Sequence, residues 1–260
     1  MTLADRVTRQ LRHHHDRLAA LVPTLDDAAL TAPSAASEWR ICDVLSHLGS
    51  GAEISLRPIA AAASGTPAGE ADNQAVWDRW NAASPREQAD WFVASDAAYV
   101  EAVEALDDDQ RDSMLVDMGF LPEPVPYVVA AGMRLNEVVL HVWDVEAGID
   151  PASTLDPEAA GLLLDLFAGP LSFLLGFTGK PETLETAAAV HAGRFGLHVA
   201  PDVVEVLEAT PVAPTATFSG HEEALVRLLA GRLGPAYTPD EVTVTGNVTL
   251  DDLRRAFPGY

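Results

Sequence analysis

Glu137 and His141 stand four residues apart in Asn136-Glu137-Val138-Val139-Leu140-His141-Val142-Trp143-Asp144, a spacing that puts both side chains on one face of a helix. A carboxylate and an imidazole sharing a face make half of a divalent-metal site. A second imidazole is available ninety residues upstream of Glu137, at His47 in Trp39-Arg40-Ile41-Cys42-Asp43-Val44-Leu45-Ser46-His47-Leu48-Gly49, another apolar segment with helical periodicity. Two imidazoles and one carboxylate brought together by two packed helices hold a cation such as zinc and leave positions open for a thiol, water or substrate. Spacing alone leaves a second reading open, in which both histidines are buried and hydrogen-bonded inside a bundle and Glu137 is an exposed helix acid.

The pairing of a Trp-x-x-x-Asp-Val-x-x-His-Leu segment with a later Asn-Glu-x-x-x-His-x-Trp-Asp segment resembles the mycothiol-dependent maleylpyruvate isomerase family, part of the wider DinB-like metal-binding superfamily. The resemblance implies an α+β chain: a DinB-like four-helix bundle over residues 1–150, then a smaller α/β sterol-carrier-like domain over 151–260. It also implies a divalent metal, usually zinc, on His47, Glu137 and His141. A family-like Leu228-Leu229-Ala230-Gly231-Arg232-Leu233 segment extends the likeness into the C-terminal third. There the resemblance implies that Arg232 reaches the active cleft, where its planar fork would grip a carboxylate of cofactor or substrate. A surface or interdomain salt bridge is the alternative for Arg232.

The function implied is that of a metal-dependent enzyme using mycothiol. It would act as a maleylpyruvate-type isomerase or a thiol S-transferase, with a metal-bound thiolate as nucleophile and a small anionic or electrophilic substrate. A metal-dependent hydrolase that activates water and a non-catalytic small-ligand-binding protein are the rival readings.

Other residues admit several roles. Asp144, three positions after His141, either orients a ligand imidazole or caps a neighbouring helix, and Asp43, four before His47, is open in the same way. Trp39, Leu140 and Trp143 read as packing residues. His13, His14 and His15 spread over about 300° of a helical wheel and cannot all face one ion, so they read as a solvated or partly buried helix surface. His191, His198 and His221 lack partners at ligand spacing and read as structural. Asn136 stands where a HExxH zincin needs its first histidine, and the second Glu-x-x-His segment of a di-iron bundle is missing.

The elements that must position these groups follow from periodicity and punctuation. Residues 3–22 form a helix. The helix carrying His47 runs to about Ala63, and Ser64-Gly65-Thr66-Pro67-Ala68-Gly69 is a loop by composition. Ser84-Pro85-Arg86-Glu87 starts a helix to about Leu106 that Asp107-Asp108-Asp109 ends. The helix bearing Glu137 and His141 begins near Tyr127 and stops before Gly148. Beyond a boundary near 148–156, an apolar helix over roughly 157–178 precedes strands at 185–191, 193–199 and 215–219, a helix at 222–233, a strand at 241–246 and a terminal helix at 250–257.

Bulk composition narrows the partners. Sixteen Lys and Arg against 39 Asp and Glu give a formal charge of -23, which repels nucleic-acid backbones and anionic membranes. The single cysteine, Cys42, excludes an internal disulfide, reads as a small core residue, and suits a reducing cytoplasm. No apolar leader opens the chain, and the apolar stretch 159–177 is broken by Asp165, Gly169, Pro170 and Gly176, which indicates a buried or kinked helix and not a membrane span. A monomer or a homodimer fits this composition.

Overall fold

Four long amphipathic helices form the N-terminal part of the computed structural model, which describes residues 1–69 and 72–259. They are α1 (Leu3–Leu21), α3 (Ile41–Ser64), α5 (Pro85–Glu104) and α7 (Tyr127–Ile149); short helices α2 (Asp27–Leu30), α4 (Asn73–Ala82) and α6 (Asp108–Ser113) lie in the connections. A two-residue antiparallel pair, β1 (Leu115–Val116) with β2 (Val125–Pro126), precedes α7. The long helices pack in a ring, α1 on α5, α5 on α3, α3 on α7 and α7 back on α1. Val7, Leu11 and Leu18 of α1, Val44, Leu45 and Leu48 of α3, Phe92, Tyr99 and Val103 of α5, and Leu135 and Val139 of α7 fill the centre. That stripe is what a 3.6-residue period supplies.

Local chemistry sets the helix ends. Thr2 and Asp5 close a capping box on α1, and Ser84 with Glu87 does so on α5, where Pro85 occupies the first helical position. Asp107 does not end a helix, as expected above, but begins one: its side chain accepts from the Gln110 amide, and Asp108 and Asp109 sit in the first turn of α6, where acids suit the positive helix end. Helix α7 continues through Gly148 to Ile149. Gly148 is there for close approach, because a Cβ would come within 2.8 Å of both Pro33 O and Ser34 Cα.

Gly49 marks a second close approach, between α3 and α5. A Cβ there would fall on the indole of Trp80, which is 2% exposed and has nowhere to go, and would lie 3.1 Å from Phe92 Cα. Alanine normally gains about 1 kcal/mol over glycine inside a helix, whereas overpacking costs about 1–3 kcal/mol. Gly49→Ala is therefore expected to lower the urea midpoint despite its better helix propensity, by about 1–3 kcal/mol of stability; an unchanged or raised midpoint would contradict the tight α3–α5 contact.

The C-terminal part contains α8 (Pro157–Phe167), α9 (Leu175–Thr178), β3 (Ala188–Ala192), β4 (Phe195–Ala200), β5 (Val203–Leu207), β6 (Ala216–Ser219), α10 (Glu222–Leu229), β7 (Thr243–Gly246) and α11 (Leu250–Ala256). The expected 157–178 helix is broken: the stretches Pro157–Phe167 and Ser172–Thr178 are bent by 86° around Ala168-Gly169-Pro170. Among the described residues no single helix is long and apolar enough to cross a membrane. The five strands are ordered β5-β4-β3-β6-β7, with β3 and β6 parallel and every other pair antiparallel. Ala188, Val190, Leu197, Val199, Ala216 and Phe218 are buried, while His191 and His198 alternate outward. Contacts divide the chain into two compact units, Met1–Asp150 and Pro151–Tyr260. The fold class is α+β, a helical N-terminal part followed by an α/β part.

Candidate metal centre

Helices α3 and α7 pack so that His47 meets the Glu137–His141 face. His47 Nε2 lies 3.0 Å from Glu137 Oε2, and His141 Nε2 lies 3.6 Å from the same oxygen. One ligand atom from each of the three residues falls within 4.8 Å of the other two. A tetrahedral ion with metal–nitrogen bonds of 2.0–2.1 Å separates its ligands by about 3.3 Å, a value bracketed by the two histidine contacts to Glu137 and inside the 4.8 Å that bounds all three atoms. The donor set and its spacing therefore fit a divalent cation.

The two imidazoles meet edge to face, 4.8 Å between centroids. Trp39 lies against both, stacked on His141 at 5.7 Å and tilted over His47 at 5.2 Å. The turn that presents Trp39 is pinned at several points. Ser34 N donates to Trp39 O at 2.9 Å, Ala35 N donates to Asp144 O at 2.8 Å, and Glu38 takes a left-handed φ of 66° that side chains rarely adopt. The expectation that Trp39 only packs is thus refined: it packs on the candidate ligands and keeps 38% of its surface in solvent.

His47 and Glu137 keep 38% and 32% of their side-chain surface, whereas His141 keeps 7%, so the centre opens on the His47 side. Burial alone would raise the Glu137 carboxyl pKa, but hydrogen bonds from His141 and His47 and their charge hold it well below the usual carboxylate range. Glu137 is an anion at neutral pH. Asp144 takes the orienting role: its Oδ2 lies 2.7 Å from His141 Nδ1, with its own side chain fully buried. That contact fixes the His141 ring with Nε2 toward Glu137, the nitrogen that would ligate a cation after giving up any proton it shares with the carboxylate. Asp43 takes neither role open to it and instead caps its own helix, accepting from Arg40 N and Nε at the start of α3.

Residues 11–146 match the family model described as the mycothiol maleylpyruvate isomerase N-terminal domain. The chain belongs to that family. Two crystal structures of the mycothiol-dependent maleylpyruvate isomerase, one of them of a histidine-to-alanine mutant, share the fold with a TM-score of 0.61, 19% and 20% identity, and coverage of 95% of both chains. An uncharacterized protein of Mycobacterium tuberculosis, present in two strains, is 29% identical over 151 residues, 56% of this chain and 68% of the relative.

In this member of the mycothiol maleylpyruvate isomerase family the other sequence candidates have surroundings of their own. Arg232 belongs to the C-terminal unit, after Gly231 at φ 70°, and its Nη1 donates to Ala230 O at 3.1 Å. Cys42 is fully buried, and burial followed by the nearby Asp43 charge pushes its thiol pKa up, which makes it a core residue and a poor nucleophile. His191 pairs with Thr210 and His198 faces Glu205 across neighbouring strands, as structural residues do.

A buried polar network below the centre was not legible in the sequence. His15 Nδ1 lies 2.9 Å from Asp96 Oδ2, and Arg134 Nη2 donates to Asp96 Oδ1 at 2.8 Å and to Leu48 O at 2.8 Å. His14 and His15 are 1% and 6% exposed, which corrects the reading of the histidine run as a helix surface; only His13 fits it. The one available signal was Arg134 itself, a lone charge in the apolar run Tyr127–Leu135.

Replacing Asp144 by asparagine is expected to keep the fold and lower metal affinity about 10–100-fold, the usual loss when a ligand imidazole loses its orienting carboxylate. Competition against a chromogenic chelator measures it. Affinity equal to that of the unmodified chain would show that Asp144 leaves His141 unaffected.

Proposed function

We propose that the chain is a divalent-metal-dependent enzyme that uses a small thiol, mycothiol, either to isomerise a maleylpyruvate-type diacid or to transfer sulfur to an electrophile. The observation that carries this reading is the convergence of His47 Nε2, Glu137 Oε2 and His141 Nε2 on one small volume between α3 and α7. Membership in the mycothiol maleylpyruvate isomerase family supports the choice of thiol. His47, Glu137 and His141 would hold a divalent cation, zinc by donor type, which would lower the pKa of a bound thiol and favour the thiolate near neutral pH.

The protein's own groups do the rest. Glu137 brings the negative charge that makes the pocket attractive to a cation. Asp144 keeps His141 Nε2 aimed inward. The Trp39 indole covers the two imidazoles on one flank and excludes water there, leaving the His47 side for reactants. Arg232, by family resemblance, would grip a substrate carboxylate bidentately and offset charge developing on the thiol adduct. A reducing cytoplasm suits an enzyme that consumes a free thiol.

The test is elemental analysis of the purified chain together with calorimetric titration of mycothiol into the unmodified protein and His47→Ala. About one metal ion per chain is expected, one filled three-ligand site, with thiol binding abolished in the variant. Metal-free protein with the same thiol affinity in both forms would overturn the reading. Turnover of an ester without any thiol would replace it by water activation.

A further inference from the structure

A cavity of about 750 Å³ opens along the C-terminal half of α3, bounded by the 66–69 loop, the start of α4 and the segment around β1. Its α3 wall, from Ile54 to Ala62, begins seven residues past His47, and Arg134 stands between the two places beside Gly51, where a Cβ would come within 2.9 Å of Arg134 Nη1. All of it lies inside the N-terminal unit. The volume is that of a pocket for a small organic molecule.

The wall is mixed: Ile54, Pro58, Leu115, Met118 and Phe120 are apolar, and Ser55, Arg57, Thr66, Asn73 and Asp117 are polar. Among the described residues Arg57 is the cation in that wall. In this strongly acidic chain Arg12, Arg17, Arg40, Arg79, Arg111 and Arg134 of the same unit each face a carboxylate. Arg57 does not: among the described residues its guanidinium donates to the neutral Asn73 Oδ1 and makes no ion pair. Its Nε is buried without any hydrogen-bond partner. Asp117, the acid in the wall, is already engaged with the Gly119 amide at 2.9 Å.

An arginine that lines a cavity without a carboxylate partner leaves its charge available to an anion.

We propose that this cavity is a second binding site, separate from the metal centre, for a small monocarboxylate with an apolar body, and that Arg57 is its anion anchor. The carboxylate meets the Arg57 guanidinium where it lines the cavity, and the apolar body lies against Ile54, Pro58 and Met118.

The test is calorimetric titration of trans-cinnamate into the full-length protein, with neutral cinnamamide as the isosteric control. Cinnamate binding is expected, weakened about tenfold or more in Arg57→Gln, where the charge-assisted bond is lost, and weakened similarly for cinnamamide on the unmodified chain. Ala61→Phe, which fills the cavity and leaves Arg57 in place, is expected to abolish binding, and it decides the matter if Arg57→Gln does not fold. Protein stripped of metal is expected to bind cinnamate unchanged, so this result is independent of the metal-centre reading. No binding by the unmodified chain, binding that survives Ala61→Phe, or binding lost with the metal would each overturn the proposal.

Discussion

Glu137→Gln is expected to lower the affinity of the chain for zinc by roughly 100-fold or more, beyond the 10–100-fold loss typical of groups that only orient a ligand. The substitution keeps the shape of the side chain and removes its charge. In the parent structure that charge is already present before any cation arrives, because the two imidazoles hold the carboxyl pKa well below its ordinary range against the opposing effect of burial. The loss therefore falls on the electrostatic attraction between a carboxylate and a divalent ion in a partly desolvated pocket, corresponding to about 2.7 kcal/mol or more. Without metal the amide can still bond to His47, so the circular dichroism of the metal-free variant should match that of the parent. Chelator competition reads the affinity, and a value equal to the parent's would remove Glu137 from the ligand set.

Asp96→Ala should cost more stability than any surface substitution, about 3–5 kcal/mol, because it strands the Arg134 charge in the bundle. Arg134 is 4% exposed and sits 5.7 Å from the Tyr99 ring centre, and removing Asp96 leaves its guanidinium with the Leu48 carbonyl. A domain of this size loses 2–4 °C per kcal/mol, so the melting point is expected to fall by roughly 10 °C. Adding Arg134→Met should restore part of the loss, since a buried charge is then no longer unpaired.

The acid limb of the stability curve gives a second readout. Burial opposes ionisation of Asp96, but His15 and Arg134 outweigh it and hold its pKa below the ordinary value. A depressed carboxylate contributes stability that is fully present above its unfolded pKa near 4 and is lost as pH falls through the folded value below that. The gap between parent and Asp96→Asn should accordingly narrow below about pH 4. A gap that stays constant would mean that the charge of Asp96 does not matter.

The long helices could be read from the sequence because a buried stripe repeats in each, and the meeting of His47 with Glu137 and His141 because two of the three share one helical face and the family resemblance pointed to the third. What escaped depended on partners far away in the chain. His15 reads as surface until Asp96, 81 residues on, is packed beside it. Helix α4 was missed because Asn73–Ala82 buries only Trp80 and carries no clear stripe. Strand β5 was missed because Val203–Leu207 shows no alternation of burial at the sheet edge. Gly148 looked like a helix stop, and its real reason, the backbone of Pro33 and Ser34 pressing on α7, lies 115 and 114 residues away.

The Trp39 indole, lying on both candidate ligand rings with part of its face in water, gives the protein a built-in optical gauge. Its excited state is sensitive to the electronic condition of the neighbouring imidazoles, so loading the centre should change its emission, and the difference between the parent and a Trp39→Phe chain isolates that signal from the four other tryptophans. Occupancy can then be followed in real time, with no added dye and no turnover assay.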